Sequence, residues 1–344
     1  MTKPPANVDP RYSRQVVLGE IGHEGQKKLC ASSVLVVGCG ALGCTAAELL
    51  VRAGVGLVRI VDRDVVELGN LHRQLLFDED DVDACLPKAE AARRKLQRIN
   101  STVTIDARIV DVAPQNVLPL IDGVNLVVDG TDNIETRYLL NDACLERDIP
   151  WVYGGAVGTT GMIMNILPGV GPCLRCVFPE PPPPGSLPTC ETQGVLNTLT
   201  TTVASQQVSE AIKILTGSPM VSRQLVTIDP WYSKHISIEI QRIPECPACG
   251  HGKRDFLDGL ELTEITRLCG RNAVQIDPAQ DLGVSLEALR DKLTSLGKVE
   301  FNGHLVRFWV DDYEVLVFAD ARAIVRGTTD PVIAKRIYAR YIGA

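Results

Sequence analysis

The sequence predicts an α/β protein with a mostly parallel sheet and an antiparallel extension, followed by a small C-terminal α+β domain. Three observations lead there. From residue 34 to about 155, short apolar strand-like runs alternate with helix-like ones, the pattern of parallel strands joined by crossover helices. After Gly155 strand-like runs follow one another without regular helices between them. From about residue 254 the tail has a strand-rich pattern of its own, so the expected domains are 1–253 and 254–344.

The first strand, 34–37, runs into Gly38-Cys-Gly-Ala-Leu-Gly43 and an apolar helix-like run, 41–53. Strand, G-x-G-x-x-G and helix in that order make the fold Rossmann-like, because such glycines bring backbone amides and a helix N-terminus against phosphate or ribose. The second strand, 57–61, ends on Asp62, placed where a ribose hydroxyl is usually bound. Strands 103–110, 126–128 and 151–153 then alternate with helices 88–99, 114–121 and 135–146. Gly40, Asp62 and Asp132 all lie just past strand ends, consistent with one shared crevice.

Beyond residue 155 the strands are 162–167, 224–228 and 235–240, with a helix 196–215 stopped by Gly217-Ser-Pro. Residues 179–188 are too proline-rich for a helix or central strand and read as an extended, exposed segment. The tail carries strands 299–301, 305–310, 314–318 and 323–326 and a terminal helix, 331–341.

Composition narrows the function classes. With 344 residues, 45% hydrophobic and 22% charged, the chain can bury a substantial core. A net charge of −7 argues against a general nucleic-acid surface. The N-terminus lacks the apolar stretch of a signal peptide, and no apolar run is long enough for a membrane span. Eleven cysteines without a secretory signal suggest a reducing cytoplasm, where cysteine binds metal or does chemistry more often than it forms disulfides.

No G-x-x-x-x-G-K-[ST] motif is present, so any triphosphate must be neutralised from elsewhere in the chain. Arg14, Arg73 and Lys88 are candidates, with Asn70 and Gln74 as hydrogen-bonding helpers; solvated surface charge is the alternative. Thr131-Asp132-Asn133 follows the strand at 126–128. Asp132 there can hold Mg²⁺ bridging phosphates, or the segment can cap the helix at 135–146, and the two roles are compatible.

Cys173-Leu-Arg-Cys176 and Cys246-Pro-Ala-Cys249 have zinc-knuckle spacing but lie far apart, so a Zn²⁺ site would join distant segments. A Cys₄ site has no open position and is structural; a redox pair or unrelated buried thiols are the alternatives. Cys190, just beyond the proline run, is either a reactive thiol able to attack an activated acyl group or carry a persulfide, or an inert buried one.

The order of motifs is itself informative. Arg11-Tyr-Ser-Arg-Gln15, Gly38-Cys-Gly-Ala-Leu-Gly43, Asp62-Arg-Asp64, Gly69-Asn-Leu-His-Arg-Gln74, Pro87-Lys88, Thr131-Asp-Asn133 and the two C-x-x-C pairs resemble the ThiF/MoeB/HesA family, prokaryotic relatives of the ubiquitin-activating enzymes. The resemblance covers about residues 9–250 and implies ATP-dependent adenylation of the C-terminal glycine of a ubiquitin-like sulfur carrier of the ThiS/MoaD type, which ends in Gly-Gly. Nucleotide contacts are implied for Gly38, Gly40, Gly43, Asp62, Asp64, Asn70, Arg73, Gln74, Lys88, Thr131, Asp132 and Asn133, with Mg²⁺ on Asp132. Arg14 is implied to reach the neighbouring subunit's site of a homodimer, Cys173, Cys176, Cys246 and Cys249 to hold Zn²⁺, and Cys190 to match a cysteine that links to the carrier in some members. The catalytic set is then Arg14, Arg73, Lys88, Asp132 and Cys190.

The chain departs from the family pattern at Cys85, where relatives usually carry glycine, and in its proline run. The tail, with Leu268-Cys-Gly-Arg-Asn-Ala-Val-Gln275 and Ala339-Arg-Tyr-Ile-Gly343, resembles the extension of some ThiF-like members. It shows no rhodanese active-site loop, so sulfur is expected from another protein such as a cysteine desulfurase. Thiamin, molybdopterin, tRNA and cysteine sulfuration all stay open as pathways. The competing functions are an adenylate-forming tRNA-nucleoside dehydratase, an NAD-dependent oxidoreductase and a non-catalytic adaptor for a ubiquitin-like protein.

Overall fold

The computed structural model describes residues 9–182, 189–259, 267–268, 272–277 and 283–342. They form two compact units, the first from 9–83 with 87–259 and the second from 84–86 with the described residues beyond 262.

An eight-stranded sheet, ordered β3-β2-β1-β4-β5-β6-β7-β8, organises the first unit. Strands β1 (Ser33–Val37), β2 (Leu57–Val61), β3 (Thr104–Arg108), β4 (Leu126–Asp129) and β5 (Trp151–Val157) pair in parallel. β1 and β4 are continuous apolar runs buried on both faces, as central strands with a helical layer on each side must be. Strands β6 (Thr160–Ile166), β7 (Gln224–Asp229) and β8 (Lys234–Glu239) complete the sheet in antiparallel fashion.

The parallel strands and the helices Ala41–Ala53, Lys88–Ile99, Pro114–Ile121, Ile134–Glu146 and Asn197–Thr216 fall where the periodicity puts them. One difference lies in β5, which continues to Val157 and turns directly into β6 as a hairpin instead of ending at Tyr153. Two glycines permit this: a Cβ on Gly154 would meet Gln207 Nε2 at 2.3 Å, and one on Gly161 would meet Val203 Cγ2 at 2.4 Å. Helix Asn197–Thr216 therefore packs tightly on the hairpin.

The second unit is a six-stranded antiparallel sheet, ordered β11-β12-β13-β14-β10-β9. The strands are β9 (Arg267–Leu268), β10 (Ala273–Ile276), β11 (Val299–Phe301), β12 (Leu305–Val310), β13 (Tyr313–Phe318) and β14 (Ala323–Arg326). Val306, Phe308, Val315, Val317 and Val325 form a core with Leu289 and Leu293 of helix Leu286–Thr294 and with Ile337 and Tyr338 of helix Pro331–Tyr341. The helix at 286–294, capped by Ser285, and strand β10 are absent from the sequence reading. Residues 183–188 of the proline run, 269–271 of the tail motif and Gly343 lie outside the described residues. Among the described residues no helix is long and apolar enough to cross a membrane.

Candidate active site

The glycine loop owes its shape to close backbone packing. Gly38 has φ +82°, and a Cβ there would lie 2.7 Å from Gly130 O. A Cβ on Gly43 would come within 1.7 Å of Gly38 O, so helix Ala41–Ala53 and the segment after β4 are both pressed onto the turn. Gly40 differs: its nearest neighbours would be Gly130 O at 3.8 Å and Gln74 Nε2 at 3.9 Å. Gly38 and Gly43 are packing glycines, and Gly40 leaves room before the helix N-terminus, where backbone amides and the helix dipole favour anions.

Asp62 ties this loop to the end of β2. Its carboxylate accepts from Cys39 N (2.6 Å) and from Asp64 N (2.7 Å). Burial raises its pKa and the nearby Lys88 opposes that rise. Lys88, almost completely buried, places Nζ 3.0 Å from Asp64 Oδ2, and its own amide donates to Asp64 O (2.9 Å). A lysine ammonium in a low-dielectric pocket is a compact point charge that suits phosphate oxygens.

Asn70 and Gln74 lie on the short turn after β2, and both are buried. Asn70 Oδ1 and Gln74 Oε1 have no hydrogen-bond partner among the described residues. Orphaned buried amide oxygens, that of Gln74 on a side chain beside the open Gly40, fit a crevice that binds a ligand, because buried polar groups are otherwise paired. Arg73, half-buried, donates from Nη1 to Gly69 O (2.9 Å).

The third wall follows β4. Asp129 is fully buried and accepts from Thr131 N (2.8 Å), Thr131 Oγ1 (2.7 Å) and Arg137 Nε (3.0 Å). Arg137 Nη2 also donates to the carbonyls of Thr131 (2.6 Å) and Gly154 (2.9 Å). Asn133 caps helix Ile134–Glu146 by accepting from Glu135 N, so the capping role falls to Asn133 and the exposed Asp132 is not used for it. Sequence reasoning missed Arg137 and Gln207, whose Nε2 donates to Asp129 O (2.8 Å) and Val152 O (3.2 Å). For Arg137 the available signal was an arginine one turn into a helix that begins beside a buried strand-end aspartate.

The two C-x-x-C pairs meet in space. Cys173 Sγ lies 4.0 Å from Cys176 Sγ and 3.6 Å from Cys246 Sγ, and Cys176 Sγ lies 3.4 Å from Cys249 Sγ. All four sulfurs fall within 4.8 Å of one another. Tetrahedral zinc with Zn–S bonds of about 2.3 Å requires sulfurs roughly 3.8 Å apart. Burial pushes the thiols of Cys173 and Cys176 up, the latter to about 11, so a divalent cation is what would allow four thiolates to coexist. The cluster can hold such an ion.

The sequence pattern that defines the ThiF family matches residues 12–248, which contain the crevice residues and three of the four clustered cysteines. The chain belongs to the ThiF family. It is similar to the sulfur carrier protein ThiS adenylyltransferase of Bacillus subtilis, with 41% identity over 336 residues covering 97% of this chain and 99% of that one. It is also similar to a sulfur carrier protein adenylyltransferase of Thermus thermophilus, with 39% identity over 266 residues covering 76% of this chain and 96% of that one. The crystal structure of E. coli MccB with ATP shares the fold, at a TM-score of 0.62 and 23% identity, over 70% of this chain and 75% of that one.

Cys190 of this ThiF-family protein stands near the crevice. It is half-buried in the short helix Cys190–Gln193, and Sγ donates to Ala156 O at 3.3 Å. Burial raises its pKa, Asp132 raises it further, and Arg73 and Arg137 oppose the rise. Its thiol therefore feels the same charges that line the crevice.

Arg14 is exposed on the short helix Ser13–Val17 and makes no hydrogen bond or ion pair among the described residues. That helix is anchored at the wrong end for its own site. Gln15 Nε2 donates to Ala53 O (2.9 Å), and a Cβ on Gly54 would meet Tyr12 Cζ at 2.5 Å. The glycine loop sits at the other end of helix Ala41–Ala53, roughly 18 Å away at about 1.5 Å per residue.

Proposed function

We propose that this protein adenylates the C-terminal glycine carboxylate of a ubiquitin-like sulfur carrier of the ThiS/MoaD type, consuming ATP and releasing pyrophosphate. One observation carries the reading: Gln74, whose Oε1 is orphaned, borders the opening at Gly40 before a helix N-terminus, and Asp62 ties that loop to Asp64, which holds the buried ammonium of Lys88. The names of the Bacillus and Thermus relatives support the same reaction. The similarity to the Bacillus protein runs through the C-terminal unit, which favours a ThiS-type carrier.

The carrier's terminal carboxylate is ionised at neutral pH, so its oxygen can attack the α-phosphorus without a general base. A new carboxyl–phosphorus bond forms as the bond from that phosphorus to the bridging oxygen breaks, and the electron pair leaves with pyrophosphate. The protein then acts by positioning and by neutralising charge. In this reading Asp62 and Asp64 orient the ribose side, and Asn70, Arg73, Gln74 and Lys88 hold the phosphates. Thr131 and Asn133 shape the segment that carries Asp132. The exposed Asp132 carboxylate, a hard oxygen donor, suits Mg²⁺, which when bound would neutralise phosphate charge. Because Arg14 lies so far from its own loop, it would serve the site of a second copy in a homodimer. The sulfur set at Cys173, Cys176, Cys246 and Cys249 suits structural Zn²⁺. None of the ten described cysteines forms a disulfide, which fits a cytoplasmic protein, and a cysteine desulfurase would supply the sulfur.

The test is ATP–pyrophosphate exchange with the candidate carriers of the same organism, one at a time, beside binding titrations with Mg·ATP and NAD. Exchange should require one carrier with an intact terminal glycine, and Arg73→Ala should abolish it. NAD binding, or wild-type exchange in Arg73→Ala, would overturn the reading.

A further inference from the structure

The residues that lead into Lys88 belong to the second unit. Ala84–Leu86 associate with it, although the chain before and after them is part of the first unit. Asn302, in the turn between β11 and β12, donates from Nδ2 to the carbonyls of Ala84 (3.1 Å) and Cys85 (2.9 Å). Its Oδ1 accepts from His304 N (3.0 Å) and Leu305 N (3.1 Å), so the same side chain also fixes its own turn.

Cys85 has φ +48°, in the left-handed region that favours glycine, and it is buried, as is Leu86. A non-glycine residue stays in that conformation where its surroundings over-determine it. Two hydrogen bonds from one amide to successive carbonyls do so here. Immediately downstream Pro87 bridges to Val65 and the amide of Lys88 donates to Asp64 O. The backbone path to Lys88 is thus held on both sides.

We propose that Asn302 is a positioning residue for the nucleotide site. By holding the carbonyls of Ala84 and Cys85 it keeps the left-handed turn that delivers Lys88 to the phosphates, which makes the C-terminal unit a working part of adenylation. The inference rests on the reading of Lys88 as a phosphate ligand.

Asn302→Asp separates the two roles of the side chain, since it keeps the acceptor for His304 N and Leu305 N and removes the donor. In the full-length protein it should lower kcat for carrier-dependent pyrophosphate exchange about tenfold. By calorimetry it should weaken Mg·ATP binding about fivefold in the wild-type background and less than about twofold in Lys88→Ala, because non-additivity marks residues that act together. Wild-type turnover and affinity in Asn302→Asp would overturn the proposal, as would an equal loss of affinity in both backgrounds. Absence of Mg·ATP binding by the wild-type protein would instead strike the underlying functional reading.

Discussion

Arg137 Nε and Asp129 Oδ2 lie 3.0 Å apart beneath the crevice, a buried ion pair that fixes the segment bearing Asp132. Burial raises the pKa of Asp129, and Arg137 counters it more than any other group. Removing the guanidinium would leave an uncompensated buried charge. Arg137→Ala should therefore destabilise the protein by about 3–5 kcal/mol in urea unfolding. The paired change Asp129→Asn with Arg137→Met should recover part of that loss. Equal unfolding midpoints for wild type and Arg137→Ala would refute the role.

Lys88 is expected to contribute through transition-state charge. Lys88→Ala should lower the rate of carrier-dependent exchange by about 10²–10³, the effect of losing one preorganised charged donor. A change of less than about threefold would show that the phosphates are held elsewhere.

The distance of Arg14 from its own glycine loop predicts complementation. Arg14→Ala and Arg73→Ala should each be inactive alone. Mixed after reversible dissociation, they should regain about a quarter of wild-type exchange, because in the proposed homodimer half the dimers would be hybrids, each with one complete site. No recovery on mixing would place Arg14 outside the site.

The cysteine cluster predicts one zinc per chain by elemental analysis. Cys246→Ser should lose the metal and lower the thermal midpoint by several degrees, since binding free energy at such a site is folding free energy. Metal-free wild-type protein with an unchanged midpoint would exclude a structural role.

Asp142, fully buried on helix Ile134–Glu146, accepts from Phe256 N (3.0 Å). Burial lifts its pKa from 3.8 to about 6. The folded state therefore binds more protons than the unfolded one within that window, and the group costs stability progressively as pH rises through it. An asparagine side chain at this position can keep the hydrogen bond, since an amide oxygen also accepts, and it carries no charge to desolvate. Asp142→Asn should match wild type below about pH 4 and exceed it by up to about 3 kcal/mol above pH 6. Urea midpoints across pH 4–8 check this, and parallel curves would refute it.

Much of the site was legible because it rests on short-range features. Gly38–Gly43 and Asp62 each follow a strand directly, and periodicity locates a strand without knowledge of its neighbours. The cysteine pairs advertised their ligand chemistry by spacing alone. Strand β10 and helix Leu286–Thr294 were missed because both are short and their apolar positions gain meaning only when packed in the second unit's core.

What the amino-acid order determined by itself was the alternation of strands and helices, the nucleotide loop and the candidate ligands, all set by local backbone chemistry and side-chain periodicity. Tertiary structure alone decided that Arg137 and Gln207 brace the crevice, that Asn133 and not Asp132 caps its helix, and that Asn302 grips the carbonyls before Lys88. Asn302 and Cys85 are 217 positions apart, and no local rule links residues at that separation. Only the folded chain brings a donor to a carbonyl that far along its length.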